Sequence, residues 1–202
     1  MIKFIIAALL LGGVAGYLNA NWASVVSSIW VSDYLLNASL MLLLFVMGVT
    51  FAMDKDSVSK IRRTGLKILV VPLAIALGTI LSGVVSALIL GMNVIATTAV
   101  SAGYGWYTLT GPLVGQIFGA KWGALGFAAN FLRELLTILT VSLMVKVDKY
   151  APIASGGATA MDTTLPIIVR YCGSDALITA FSSGLILSLI APFTIVAIAS
   201  LG

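Results

Sequence analysis

With 202 residues, 60% of them hydrophobic and 9% charged, the chain has a mean hydropathy of +1.14. Soluble domains carry about 25% charged residues, so this composition excludes a water-soluble globule and predicts an all-α integral membrane protein. The absence of histidine and the single cysteine, Cys172, exclude a histidine-based metal site and a disulfide framework within the chain; Cys172 is expected to be a buried small apolar residue.

Residues 2–18 predict a first helix. A signal peptide is the competing reading, because small residues (Gly12, Gly13, Ala15, Gly16) follow the apolar run. The number of later apolar segments favours a transmembrane helix. Residues 19–33 are polar, turn-prone and free of Lys and Arg, which suits an external loop anchored by Trp22 and Trp30. Residues 34–53 predict a second helix. From Asp54 to Gly65 runs a basic loop, and Lys55, Lys60, Arg62, Arg63 and Lys67 place this region on the cytoplasmic side. The cluster is a topology signal, too small for a nucleic-acid-binding domain. A third helix is expected over 66–90, ending at Gly91-Met92-Asn93. Its Gly78 and Gly83, like the glycines of the first helix, would permit close helix packing.

The pattern then changes. Residues 94–119 are long enough to cross a bilayer, yet their middle, Ser101 to Pro112, holds three glycines, a proline and several hydroxyls. Such a stretch weakens a lipid-facing helix. Irregular backbone at membrane depth is tolerated only against protein or a watery cavity, so a helix-break-helix element is expected. Residues 123–145 predict a cleaner helix, begun near the interface residue Trp122 and carrying Arg133 and Glu134 near its middle. A second broken segment covers 151–173, and a last helix covers 176–199, kinked or shortened near Pro192.

Thr108, Thr110, Pro112 and Gly119 match Asp162, Thr164, Pro166 and Gly173 at a constant offset of 54 positions. Paired interrupted segments mark transporter binding sites. Re-entrant hairpins, one from each membrane face, keep Lys146 and Lys149 inside, as the charge rule prefers. They also make the two units an inverted repeat. The expected topology is about five transmembrane helices plus the two broken segments, in the plasma (cell inner) membrane. The N-terminus lies inside and the C-terminus outside. Residues 1–93 form a three-helix scaffold and residues 94–202 a transport core.

Arg133, Glu134, Asp162 and Arg170 fall in apolar segments, where each charge costs about 2.5–3.5 kcal/mol. Pairing of Arg133 or Arg170 with Asp162 is one expectation; a carboxylate left free for a cation is the other. Asp162 stands at a break beside Thr163 and Thr164, ahead of a half-helix opened by Pro166, where freed carbonyls and hydroxyls could ligate Na+ or an ammonium group. Glu134 and Asp162 could hold ammonium groups. Arg133 or a half-helix N-terminus could hold a carboxylate. Trp106 and Tyr107 would wall or gate the site. Together these residues describe an amino-acid or ion transporter.

The stretches Gly103-Tyr104-Gly105-Trp106-Tyr107-Thr108-Leu109-Thr110-Gly111, Arg133-Glu134-Leu135 and Met161-Asp162-Thr163-Thr164-Leu165-Pro166 resemble the LysO-type lysine exporter family, and Leu43 to Val49 fits its repeated helix motif. The resemblance runs the length of the chain. It implies export of L-lysine and close analogues, with Glu134 and Asp162 recognising the substrate's ammonium or coupling an ion. Arg133, Trp106, Tyr107, Thr108, Thr110, Thr163 and Thr164 would line the site. Family members carry about three further helices ahead of the matched part. A homodimer, or a small membrane subunit, would then supply what this chain lacks. Proton or sodium antiport is the expected energy source, since no Gly-rich Lys-Ser/Thr loop for ATP occurs. The chain is expected to be no enzyme and to need no cofactor.

Overall fold

The computed structural model describes residues 11–18, 34, 38–39, 41–42, 45–46, 49, 53 and 69–202. The chain divides into two compact units, Met1–Phe45 and Val46–Gly202. Residues 11–18 are helical, as are positions 38, 39, 41, 42, 45, 46, 49 and 53 within the expected second helix. The loop over 19–33 with Trp22 and Trp30, and the basic loop over 54–65, lie outside the described residues.

From residue 69 onward every regular element is a helix. Helix α1, Val70–Leu90, ends where Gly91 adopts a left-handed φ of 62° and returns its N–H to Ala87 O. Helix α2, Val94–Ser101, starts at Asn93, whose Oδ1 accepts the Ala96 N–H at 2.9 Å. Helix α3 is Tyr107–Phe118 and α4 is Ala120–Val147. Helix α5, Ala151–Gly156, passes into a 3₁₀ turn, Gly157–Met161. Helix α6, Leu165–Cys172, and α7, Ala176–Ala199, follow. Among the described residues α1, α4 and α7 are long and apolar enough to cross a membrane. At 24 residues α7 measures about 36 Å, beyond the roughly 30 Å hydrocarbon depth.

Both expected breaks are present, and both are shorter than the sequence suggests. The first occupies only residues 102–106, so Thr108, Thr110, Gly111 and Pro112 lie inside α3. Pro112 is the sixth residue of that helix and leaves Thr108 O without its usual N–H. The Thr110 side chain tightens the same end by donating to Trp106 O at 2.7 Å. Pro192 likewise sits inside a single helix that runs on to Ala199, rather than shortening it.

Two contacts fix the direction of the broken segments. Lys149, before α5, forms an ion pair with Asp175, just after α6. The second segment therefore leaves on the face where it entered. At the other end of α7, Gly202 packs against Ile95 in the first turn of α2. Helix α3 then returns along the N-terminal half of α4. A Cβ built on Gly123 would lie 2.8 Å from both Gly111 O and Gly115 Cα, so the two backbones are in direct contact. The first segment thus begins and ends on the face opposite Lys149. The two broken segments are helical hairpins that enter the bundle from opposite ends, separated in sequence by the long helix α4.

The repeat spacing has a structural counterpart. Gly119 (φ 94°, ψ 165°) and Gly173 (φ 91°, ψ 163°) close the two returning half-helices in the same conformation. Both dihedral pairs belong to glycine alone. The Lys149–Asp175 hydrogen bond holds the lysine pKa above and the aspartate pKa below their ordinary values. Both side chains face solvent, so the pair marks a mouth more than it stabilises the fold.

Candidate substrate site

The hairpin tips meet in the interior. The Ala158 N–H, in the second break, donates to Tyr104 O in the first at 2.8 Å. Tyr104 is fully buried and adopts a left-handed φ of 52°, uncommon for a bulky side chain. Gly157 (φ 61°) passes against the same carbonyl, and Gly105 lies against Gly156 O. The helix α7 backbone supports the crossing from behind. A Cβ on Gly184 would reach Met161 N at 2.5 Å and Ala158 O at 2.7 Å.

Helix α4 holds both tips through two residues one turn apart. Asn130, buried and fully satisfied, accepts the Gly105 N–H at 2.7 Å and donates to Val100 O and Gly126 O, each at 2.9 Å. Arg133 donates through Nε to Ser155 O at 2.8 Å and through Nη2 to Ala154 O at 2.9 Å. These are carbonyls of the last turn of α5, where a cation is favoured. Buried Thr137 completes the clamp, its hydroxyl 2.6 Å from Ser155 Oγ. The expected pairing of Arg133 or Arg170 with Asp162 does not form. Arg133 is taken by carbonyls, and Arg170 is exposed in the last turn of α6.

Adjacent residues on a helix point about 100° apart, and Arg133 and Glu134 serve different sides of α4. Glu134 lies 15 residues into the 28-residue helix, and its Oε2 is buried without a hydrogen-bond partner. It faces the Thr163 hydroxyl and lies within electrostatic reach of Asp162. Asp162 and Thr163 are exposed on the unwound stretch before α6, with the Thr163 N–H bonded to Asp162 Oδ1 at 2.5 Å. Tyr107 lies near both carboxylates. Its ring meets Phe127 and Phe131 edge-on, at centroid distances of 5.4 and 5.5 Å. Two carboxylates beside an aromatic wall suit a ligand with an ammonium group and an apolar stem.

The remaining expected residues divide by burial. Trp106 is half-buried at the start of α3, and Thr108, two residues on, is exposed. Thr110 and Thr164 are fully buried. Thr110 packs on Gly103 and Gly126, and Thr164 Oγ1 lies 3.3 Å from Thr159 Oγ1, so both hold the breaks together. Cys172 is buried and free, as expected. Among the described residues no cluster of three or more His, Cys, Asp or Glu side chains could hold a metal ion. Sequence reasoning missed Asn130, an isolated amide inside an apolar helix. Its signal is that a buried amide at membrane depth must find partners. Asn130→Asp keeps the acceptor for Gly105 N–H but turns a charge onto two carbonyls. We expect the melting temperature in detergent to fall by several degrees, on a cost of about 2–3 kcal/mol.

Residues 6–199 match the family described as lysine exporter LysO. The "Lysine exporter LysO" of Escherichia coli (strain K12) is 31% identical over 159 residues, covering 78% of this chain and 52% of that protein. The chain thus spans about half the length of that relative. The "Putative lysine exporter" of Haemophilus influenzae is 28% identical over 196 residues, 95% of each chain. No solved structure matches.

Proposed function

The chain belongs to the lysine exporter LysO family, and from that premise we propose that it exports L-lysine or a related cationic amino acid from the cytoplasm. The observation that carries this reading is the pair Glu134 and Asp162, set together at an unwound half-helix inside a membrane bundle. An uncompensated carboxylate at that depth is costly unless a cation visits it. In this reading the substrate's ammonium occupies the pair, with Thr163, Tyr107, Trp106 and Thr108 lining the approach and Thr110 and Thr164 fixing the backbone.

Exporting a cation against an inside-negative potential costs about 2.3 kcal/mol per charge per 100 mV. Inward movement of H+ or Na+ through the same carboxylates would offset it, an antiport in which ion and substrate exclude one another. Residues 94–202 form the moving core and residues 1–93 the scaffold, with the N-terminus inside and the C-terminus outside. A second copy of the chain, or a small membrane subunit, is its partner in the membrane.

The test is counterflow of labelled lysine in proteoliposomes containing the purified chain. Saturable exchange that responds to an imposed H+ or Na+ gradient is expected. Ion exchange without lysine exchange would instead identify a cation/proton antiporter. Unsaturable flux would identify a channel, and neither flux nor binding would identify an accessory subunit.

A further inference from the structure

About 100° around α4 from Glu134, a cleft of about 500 Å³ is lined by Ala74, Gly78, Thr79 and Ser82 of α1, Arg133 of α4 and Ala154 of α5. A second cavity of about 180 Å³ shares Thr79, Ser82 and Arg133 and extends toward Ser101 and Asn130. Guanidinium offers five N–H donors. The bonds to Ser155 O and Ala154 O use two, and a long contact of 3.4 Å to Thr79 Oγ1 engages a third. Among the described residues no carboxylate pairs with Arg133. The cleft therefore holds a positive charge near the middle of α4, with spare donors on Nη1 and Nη2. The Thr79 hydroxyl is one wall. Ser82 Oγ, bonded to Thr79 O at 2.8 Å, is the next.

We propose that this cleft is a carboxylate site, separate from the acidic pair, in which Arg133 and Thr79 hold the α-carboxylate of the transported amino acid. The inference rests on the amino-acid export reading and adds to it a second station of opposite charge. A planar, always-charged fork of donors matches a carboxylate's two oxygens. The α1 wall leaves room for it: a Cβ built on Gly78 meets nothing within 4 Å. Gly157, at the hairpin-tip crossing, approaches the Arg133 guanidinium, and Asp162 caps the 3₁₀ turn that Gly157 opens. A substrate bearing both charges is thereby distinguished from a diamine, which finds partners at the acidic pair alone.

The experiment is competition against labelled-lysine counterflow by lysine and by lysinamide, which keeps both amines and lacks the carboxylate. Wild-type protein should prefer lysine by about tenfold or more, the discrimination expected of one charge-assisted contact. Thr79→Val should weaken lysine by about tenfold and leave lysinamide unchanged. Ser82→Ala, which disturbs no hairpin contact, serves if Thr79→Val fails to fold, and should narrow the preference in the same direction. Equal competition by the two ligands in wild type, or an unaltered ratio in both variants, overturns the carboxylate site while export stands. If wild type exchanges no lysine, export falls, and the cleft is judged on thermal protection of the purified chain by hexanoate, a carboxylate without an amine. Protection lost in Thr79→Val sustains the site, and no protection of wild type ends it.

Discussion

Asp162→Asn is expected to abolish lysine counterflow while expression and melting temperature stay at wild-type values. The side chain is exposed, and its structural task is to accept the Thr163 N–H through Oδ1. An asparagine oxygen can accept the same bond, so the half-helix should still start at Leu165. What disappears is the charge. At an effective dielectric near 20, an ammonium about 4 Å from a carboxylate gains about 4 kcal/mol. Losing it would weaken binding by about a thousandfold. Normal transport by this variant, at wild-type abundance, would remove Asp162 from the site.

Gly157→Ala should be strongly destabilising. Gly157 has φ 61° and ψ −124°, where an L side chain is strained by about 1–2 kcal/mol. The new Cβ would lie 2.2 Å from Tyr104 O, a backbone atom that cannot turn aside. That same oxygen accepts the Ala158 N–H, the bond joining the two tips, which is worth about 1 kcal/mol. Together these amount to roughly 2–3 kcal/mol. Thermal unfolding in detergent should show a clear fall in melting temperature and a loss of transport. Gly78→Ala, where nothing lies within 4 Å, is the matched control and should be neutral or slightly stabilising. If both variants melted together, the tips could not be in contact.

Much of this architecture is legible in the residues. The glycines and hydroxyls between Ser101 and Pro112, and between Ala154 and Pro166, have no place in a lipid-facing helix, so both breaks can be read directly. The charge rule on Lys146 and Lys149 leads to the re-entrant expectation, and the Lys149–Asp175 pair brings the two ends of the second segment together. The lengths of the breaks were not legible. Proline and glycine at 111–112 suggest an unwound backbone, but Gly111 is needed for the close approach to Gly123, and Thr110 compensates locally. The role of Arg133 was hidden for a different reason. Sequence offers carboxylates as partners for a buried cation, whereas the carbonyl end of a six-residue helix becomes one only once the chain is folded. Thr79 and Ser82 look like ordinary small residues of a membrane helix until α1 is laid against α4.

Accessibility of the hairpin mouths is the most direct measurement of whether two re-entrant segments meet from opposite faces. In a Cys172→Ala background, Val94→Cys and Lys121→Cys flank the first hairpin, while Lys146→Cys and Ser174→Cys flank the second. A membrane-impermeant thiol reagent should label the first two from one side of oriented vesicles and the second two from the other. If Val94→Cys and Lys121→Cys react from opposite sides, the first segment crosses the bilayer completely, and the shared polar site at the hairpin tips cannot exist.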